Sequence, residues 1–406
     1  MEIKSIWARE ILDSRGNPTV EVEVFTDGSF GSAAAPSGAS TGKHEAVELR
    51  DGGPRYLGKG VLNAVNNVNT IIAPALIGKN IVNQKEIDTT LIELDGTRDK
   101  SRLGANAIVA TSMACLRAGA ASQGKMLHEY LGGNTLPHAM FNIINGGQHA
   151  GNALSIQEFM VIPEAETFTE RLRMGTEIYH TLKTKLTKKY GRSSINVGDE
   201  GGFAPAIGNT YEAMDAIAAA VEEIGYHDNC GFAIDSAASS FYKNDQYHID
   251  GKKLSERDLI DYYVDLVGTY PVVSIEDPFH EESFQAFSAL NKELSDVQIV
   301  ADDLVVTNVH RIKRAIQSDS MSALLMKVNQ IGTVTEAMDA VKLCRENQMG
   351  IIVSHRSGET EDSFIADFAV GINAGQIKTG APARGERTSK YNQLLRLEER
   401  MQHGLE

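Results

Sequence analysis

Few cysteines, no long apolar run and a deficit of positive charge set the first limits on what this chain can be. Cys115, Cys230 and Cys344 are widely spaced and odd in number, with no CxxC pair. They offer neither a disulfide framework nor a zinc knuckle and read as small buried core residues. No segment approaches the ~18 apolar residues of a membrane span. Met1 to Glu10 alternates charge with single apolar residues, unlike the apolar stretch and cleavage site of a signal peptide. A cytoplasmic protein is therefore expected, with a secondary presence at the cell surface left open. Lys and Arg number 39 against 54 Asp and Glu, a formal charge of −15. That balance disfavours nucleic acid as a general partner and means that any phosphate must be caught by a local basic site. Internal repeats and low-complexity tracts are absent too. Gly38 to Lys43 is one residue short of a P-loop and has His44 where Ser or Thr is required, and there is no dinucleotide fingerprint.

What is present is the composition of an ordinary globular protein, 42% hydrophobic and 23% charged, over 406 residues, enough for about two domains. The fold class expected is α/β: a small N-terminal α+β domain over 1–133 followed by a TIM-like barrel over 134–406. In the first part Thr19 to Phe25 alternates, Asp27-Gly28 signals a hairpin turn, and Phe30 to Ala35 returns. Helical periodicity follows near Val61 to Ile77, Gln84 to Glu93 and Ala105 to Ser122. The Gly-Gly-Asn stretch before Pro137 reads as a linker.

Eight short apolar runs then end in polar or charged clusters. They are Phe141 to Asn145, Phe159 to Pro163, Phe232 to Asp235, Val272 to Asp277, Ile299 to Asp303, Leu324 to Gln330, Ile351 to Arg356 and Gln376 to Thr379. Most are separated by helix-period segments such as Ser283 to Leu294 and Val334 to Arg345. The loop between the first two, Gly146 to Glu158, has no room for a crossover helix, so those strands should pair antiparallel. Two helical stretches, Phe168 to Lys189 and Tyr211 to Ile224, precede the third strand. The predicted order is ββαα(βα)6.

Strand ends converge on one face of such a barrel, and these runs deliver Asp235, Glu276, Asp302, Lys327, His355 and Lys378. A single carboxylate after a strand is more often a turn former or helix cap. Six ionisable ends in register are not explained by capping. Three carboxylates are the hard oxygen ligands that magnesium prefers, and the later cations can balance an anionic substrate. The second, antiparallel strand brings its start, Glu158, to the same face, with His149 in the loop before it. Gly198 to Pro205, GDEGGFAP, carries Glu200 on a glycine-rich turn, and Pro36 to Gly42, PSGASTG, suits a mobile lid.

These segments resemble the enolases nearly end to end, through DSRGNPTVEVEV, PSGASTG, NIINGGQHAGN, QEFM, GDEGGFAP, SIEDPF, ADDLVVTN, KVNQIGT, VSHRSGETED and QIKTGAP. The resemblance implies a lyase for the reversible, magnesium-dependent dehydration of 2-phosphoglycerate to phosphoenolpyruvate, in glycolysis and gluconeogenesis. It implies two Mg²⁺ per active site: one on Asp235, Glu276 and Asp302, and a second, arriving with substrate, on Ser40. Lys327 matches the general base at carbon 2. Glu200 matches the group that protonates the departing hydroxide, assisted by Glu158. His149 and Lys378 match substrate contacts, and Arg356 with Ser357 matches the phosphate clamp beside His355. A homodimer or larger symmetric assembly is expected on the same ground. A lysine base must be tuned below its usual ~10.4, and neighbouring cations, including Lys378 and magnesium, are expected to do this. Two segments depart from the family pattern: Ser239-Ser240-Phe241, where a Glu is usual, and Arg384-Gly385-Glu386-Arg387, where Gly385 replaces a Ser. A phosphate-free lyase or racemase on the same barrel is the nearest rival reading, and a non-enzymatic surface receptor or scaffold the rival from another class.

Overall fold

A computed structural model describes residues 1–39 and 42–404. The N-terminal part opens with a three-stranded antiparallel sheet, β1 (Ser5–Leu12), β2 (Pro18–Phe25) and β3 (Phe30–Ala34). The alternation in β2 buries Val20, Val22 and Val24 against the helical layer. That layer contains α1 (Leu62–Asn67), continued through a π turn at Val68–Ile72 into α2 (Ala73–Leu76), then α3 (Gln84–Asp95), α4 (Ala105–Ser122) and α5 (Leu127–Leu131). The α4 helix is alanine-rich and almost wholly buried, so it lies close against β2 and β3. The first strand was not expected from sequence. Its Trp7 and Leu12 are more than half exposed, so its pattern lacks a clean buried face.

The rest closes into an eight-stranded barrel. Its strands are β4 (His138–Asn145), β5 (Glu158–Pro163), β6 (Cys230–Asp235), β10 (Val272–Glu276), β11 (Gln298–Ala301), β12 (Ala323–Met326), β13 (Gly350–Ser354) and β14 (Gln376–Lys378). Around the ring the order is β10-β11-β12-β13-β14-β4-β5-β6. The β5 strand runs antiparallel to both neighbours and the other pairs are parallel. With α6 (Phe168–Tyr190) and α7 (Thr210–Glu223) between β5 and β6, this is the ββαα(βα)6 order. Met140, Met160, Ile162, Ala233, Val300, Ala323, Leu325 and Ile352 form a separate cluster, the inward-facing residues of a packed barrel.

Several predicted strands overshoot. Those ending at Asp277, Asp303, Gln330 and Arg356 stop at Glu276, Ala301, Met326 and Ser354. Their polar last residues leave the sheet to form the loops of one face, and Val328–Ile331 turns helical as α11. A small meander, β7 (Tyr242–Lys243), β8 (Gln246–Ile249) and β9 (Lys252–Leu254), follows β6 and was not anticipated. The outer ring is completed by α8 (Glu256–Thr269), α9 (Phe284–Glu293), α10 (Val309–Gln317), α12 (Val334–Glu346), α13 (Phe364–Gly371) and α14 (Gly385–His403). The two parts are stitched at the N-terminus of α12. Ser112 Oγ accepts from Val334 N at 3.0 Å, and the buried Asp88 carboxylate accepts from Thr335 N at 2.9 Å. Among the described residues no helix is long and apolar enough to cross a membrane, and the three cysteines are free and buried.

Candidate active site

Register explains why the carboxylates meet. Glu158 at the start of antiparallel β5 is the partner of Asp235 on β6, and Asp235 is the partner of Glu276 on β10. Three acids thus stand side by side on three neighbouring strands. From β14, Lys378 reaches into this row, its Nζ 2.8 Å from Glu276 Oε2, 3.0 Å from Asp235 Oδ2 and 3.2 Å from Glu158 Oε1. Burial opposes the charge on Lys378, yet Asp235, Glu158 and Glu276 hold its pKa well above the ordinary lysine value. Burial, then Asp235, pushes Glu276 well above the carboxylate range.

Across the mouth, Lys327 follows β12 and donates to Asp302. Gln330 on α11 holds the other Asp302 oxygen, Oδ1, at 2.8 Å. Burial is the largest influence and pulls the Lys327 pKa down, but Asp302 and Glu276 act against it and the net direction is upward. The expected downward tuning is therefore reversed with the protein's own groups alone, because the nearest charge is a carboxylate and not Lys378. The loop that supports Lys327 is strained. Val306 and Thr307 have φ of 45° and 56°, rare for β-branched residues, and Thr307 Oγ1 accepts from Lys327 N at 3.1 Å.

Opposite Lys327 lies a second group. His149 Nδ1 is 3.8 Å from Glu158 Oε1 and 3.6 Å from Glu200 Oε1. Asn142 Nδ2 donates to Glu200 Oε2 at 3.0 Å, and His355 Nε2 is 3.3 Å from the same oxygen. Glycine is required where the Glu200 loop begins, since a Cβ on Gly198 would sit 2.4 Å from His149 O. Burial, then Glu200, raises the Glu158 pKa well above the usual range, against the pull of Lys378. His355 is fixed from behind. The fully buried Arg387 donates to His355 Nδ1 at 2.7 Å. A guanidinium can only donate, so Nδ1 must accept and the ring proton belongs on Nε2, facing Glu200. Burial, with help from Arg387, pushes the His355 pKa down to about 3.

Arg356 is clamped by Glu45 from the N-terminal part, with NH1 to Oε2 at 2.9 Å and NH2 to Oε1 at 3.1 Å. Beside it Ser357 is buried, its Oγ accepting from Arg15 NH1 at 3.4 Å and its carbonyl from Arg387 NH2 at 2.6 Å. Ser37 pairs with Gly358 through two backbone bonds of 2.8 and 2.9 Å, anchoring the start of the predicted lid. Ser40 lies outside the described residues. The remaining predicted residues converge on one cleft, with Glu276 just behind its wall against Lys378. Glu45, Arg387, Asp277, Gln330 and Asn142 were not singled out from sequence. They act through other site residues, and only their position reveals them. Asp277, at φ 41°, accepts from the backbone N–H of Asp302 at 3.0 Å and of Asp303 at 2.8 Å, locking the end of β10 to that of β11.

The donor set fits a hard divalent cation. Glu276 Oε1 and Glu158 Oε2 are buried with no hydrogen-bond partner, and carboxylate oxygens left so are costly unless a cation satisfies them. Among the described residues, the groups compact enough to share one ion are His149, Glu158 and Glu200, and Asp277, Asp302 and Asp303. The expected triad of Asp235, Glu276 and Asp302 is divided between the two lysines.

Known proteins match this chain over nearly its full length. The family model for the enolase N-terminal domain matches residues 3–131, and that for the enolase C-terminal TIM barrel domain matches 133–405. The chain is 58% identical over 405 residues to the enolase of Methanocaldococcus jannaschii, covering 98% of this chain and 96% of that protein. It is 59% identical over 404 residues to the enolase of Methanosarcina barkeri, covering 98% and 94%. For the enolase of Thermococcus kodakarensis the identity is 55% over 410 residues, covering 99% and 95%.

Proposed function

The chain belongs to the enolase family of hydro-lyases, and we propose how this cleft divides the reversible dehydration of 2-phosphoglycerate to phosphoenolpyruvate. Lys327 takes the proton from carbon 2. The bond from carbon 3 to its hydroxyl then breaks, and the departing hydroxide receives a proton from Glu200, with Glu158 beside it, and leaves as water. The electron pair released at carbon 2 becomes the new double bond. His149 and Lys378 contact the substrate, while Arg356 and Ser357, next to His355, hold its phosphate. Asp235, Glu276 and Asp302 would hold one Mg²⁺, and Ser40 a second that enters with substrate. When bound, these cations supply positive charge to the substrate carboxylate, beside which the weakly acidic proton is lost.

One observation carries the reading. In the closed ring β12 and β5 lie four strands apart, diametrically opposite, so the lysine and the Glu158–Glu200 pair face each other across the cleft. A base on one side and an acid on the other suit removal of proton and hydroxide from opposite faces of one substrate. A scaffold needs no such division, and a racemase acting on phosphate-free acids would have no use for the buried Arg356 and Ser357 beside His355. The same reading includes the division of the chain at 133/134, a cytoplasmic location and, by family resemblance alone, a symmetric homo-oligomer.

The test separates the two steps. Lys327→Ala should abolish both phosphoenolpyruvate formation and exchange of the carbon 2 hydrogen with deuterated solvent. Glu200→Gln should abolish dehydration yet retain exchange, because Lys327 can still remove and return the proton. Exchange that persists in Lys327→Ala would remove Lys327 from the role.

A further inference from the structure

The Arg356 guanidinium lies deep in the cleft, yet its charge is balanced by a carboxylate from the other domain. Glu45 is almost completely buried and meets the guanidinium end-on with both oxygens, at 2.9 and 3.1 Å. Its Oε1 also accepts from the backbone N–H of Gly42 at 2.9 Å and from Gln330 Nε2 at 3.4 Å. Gln330 in turn holds Asp302, the partner of Lys327. Gly42 itself cannot carry a side chain without displacement, since a Cβ would stand 2.9 Å from Asp303 Oδ1.

An anion-binding arginine paired with a buried carboxylate is a poor device for affinity alone. The carboxylate cancels much of the field that would attract a phosphate and repels the phosphate directly. Its value lies in geometry. Two parallel N–H···O bonds fix the guanidinium plane, and the same carboxylate ties that plane to the residue closing the predicted lid segment. We propose that Glu45 is a positioning residue for phosphate recognition: it restrains the grip of Arg356 in order to orient it, and links phosphate arrival to Gly42. This rests on the reading of Arg356 as the phosphate contact.

Inorganic phosphate, titrated calorimetrically into the full-length protein in the presence of Mg²⁺, is the probe. Glu45→Gln removes the charge but keeps an acceptor for Gly42, and should bind phosphate about tenfold more tightly. Turnover of 2-phosphoglycerate should fall together with KM, as expected when an over-strong ground-state contact replaces an oriented one. Glu45→Asp retains the charge and should bind phosphate within about twofold of the unmutated protein. Arg356→Gln should lose phosphate binding. If Arg356→Gln binds phosphate normally, the phosphate reading and this inference both fall. If it loses binding while Glu45→Gln binds phosphate no more tightly than the unmutated protein, the inference alone falls. Should Glu45→Gln not fold, hydrogen exchange in the unmutated protein decides. Saturating phosphate should change the exchange rate of the Gly42 amide relative to chloride at equal ionic strength, and equal rates would overturn the link.

Discussion

Replacing His355 with Gln gives a test whose sign and size follow from the structure. His355 is buried and receives a hydrogen bond on Nδ1 from Arg387, so the fold accommodates only its neutral form. Its pKa is pushed from the ordinary 6.5 down to about 3. Below pH 6.5 the unfolded chain takes up a proton at this position that the folded chain refuses. Stability must therefore fall as pH falls, by about 1.4 kcal/mol per pH unit and about 5 kcal/mol in all by pH 3. His355→Gln cannot ionise. At pH 7.5 it should be less stable by about 1–3 kcal/mol, through the lost ring contacts and the weakened bond from Arg387. Between pH 6 and pH 4 the two proteins should converge and then cross. Urea unfolding followed by circular dichroism at half-unit steps measures the difference directly, and acid-sensitive groups common to both proteins cancel. Parallel stability curves would show that His355 ionises inside the fold and would refute the assignment of its proton to Nε2.

Asp302→Asn should weaken Mg²⁺ binding by at least about tenfold in calorimetry, and unchanged affinity would remove it from the ligand set. Activity should be lost on chelation and return with Mg²⁺; full activity in chelated protein would contradict the proposed chemistry. Away from the cleft, Glu398 caps the start of α6, accepting from Phe168 N at 2.6 Å and Thr169 N at 2.9 Å. Glu398→Gln should lower stability by about 1–2 kcal/mol with kcat unchanged, and an unaltered melting temperature would show that the cap contributes nothing.

The barrel was legible because parallel strands covered on both faces leave continuous apolar runs, and each run here stops at a polar residue that the face needs. The short Gly146 to Glu158 loop revealed the antiparallel strand by length alone. What failed to show has equally physical causes. The β7–β9 meander is built from strands of two to four residues, too short for periodicity. Its turns were nonetheless written in Asn244-Asp245 and Asp250-Gly251, whose φ values are all positive. Glu45 is indistinguishable in sequence from Glu48, three residues on, and only the packing of the two domains makes it the partner of Arg356. Arg387 lies on the final helix, in the segment that departs from the family pattern. Even so, its guanidinium reaches His355 and the carbonyls of Arg356 and Ser357. The direction of the Lys327 pKa was missed because a list of strand ends says which charges converge but not which of them touch.

Those contacts bear on the order of binding. Among the described residues lining the cleft, Glu158, Glu200, Asp235, Asp277, Asp302 and Asp303 face only Lys327, Arg356 and Lys378 as cations. Each of those cations is already engaged: Lys378 by three carboxylates, Lys327 by Asp302 and Arg356 by Glu45. A trianionic substrate entering this cleft meets no uncompensated positive field, and like charge at 4 Å costs about 4 kcal/mol even at an effective dielectric of 20. Added cations must therefore precede or accompany the substrate, and the partnerless Glu276 Oε1 and Glu158 Oε2 mark where the protein has prepared for positive charge. Calorimetry should detect Mg²⁺ binding without substrate, no 2-phosphoglycerate binding in chelator, and tight 2-phosphoglycerate binding once Mg²⁺ is present. Equal affinity for 2-phosphoglycerate with and without Mg²⁺ would mean that the protein's own cations suffice and that the ion pairs described here open freely.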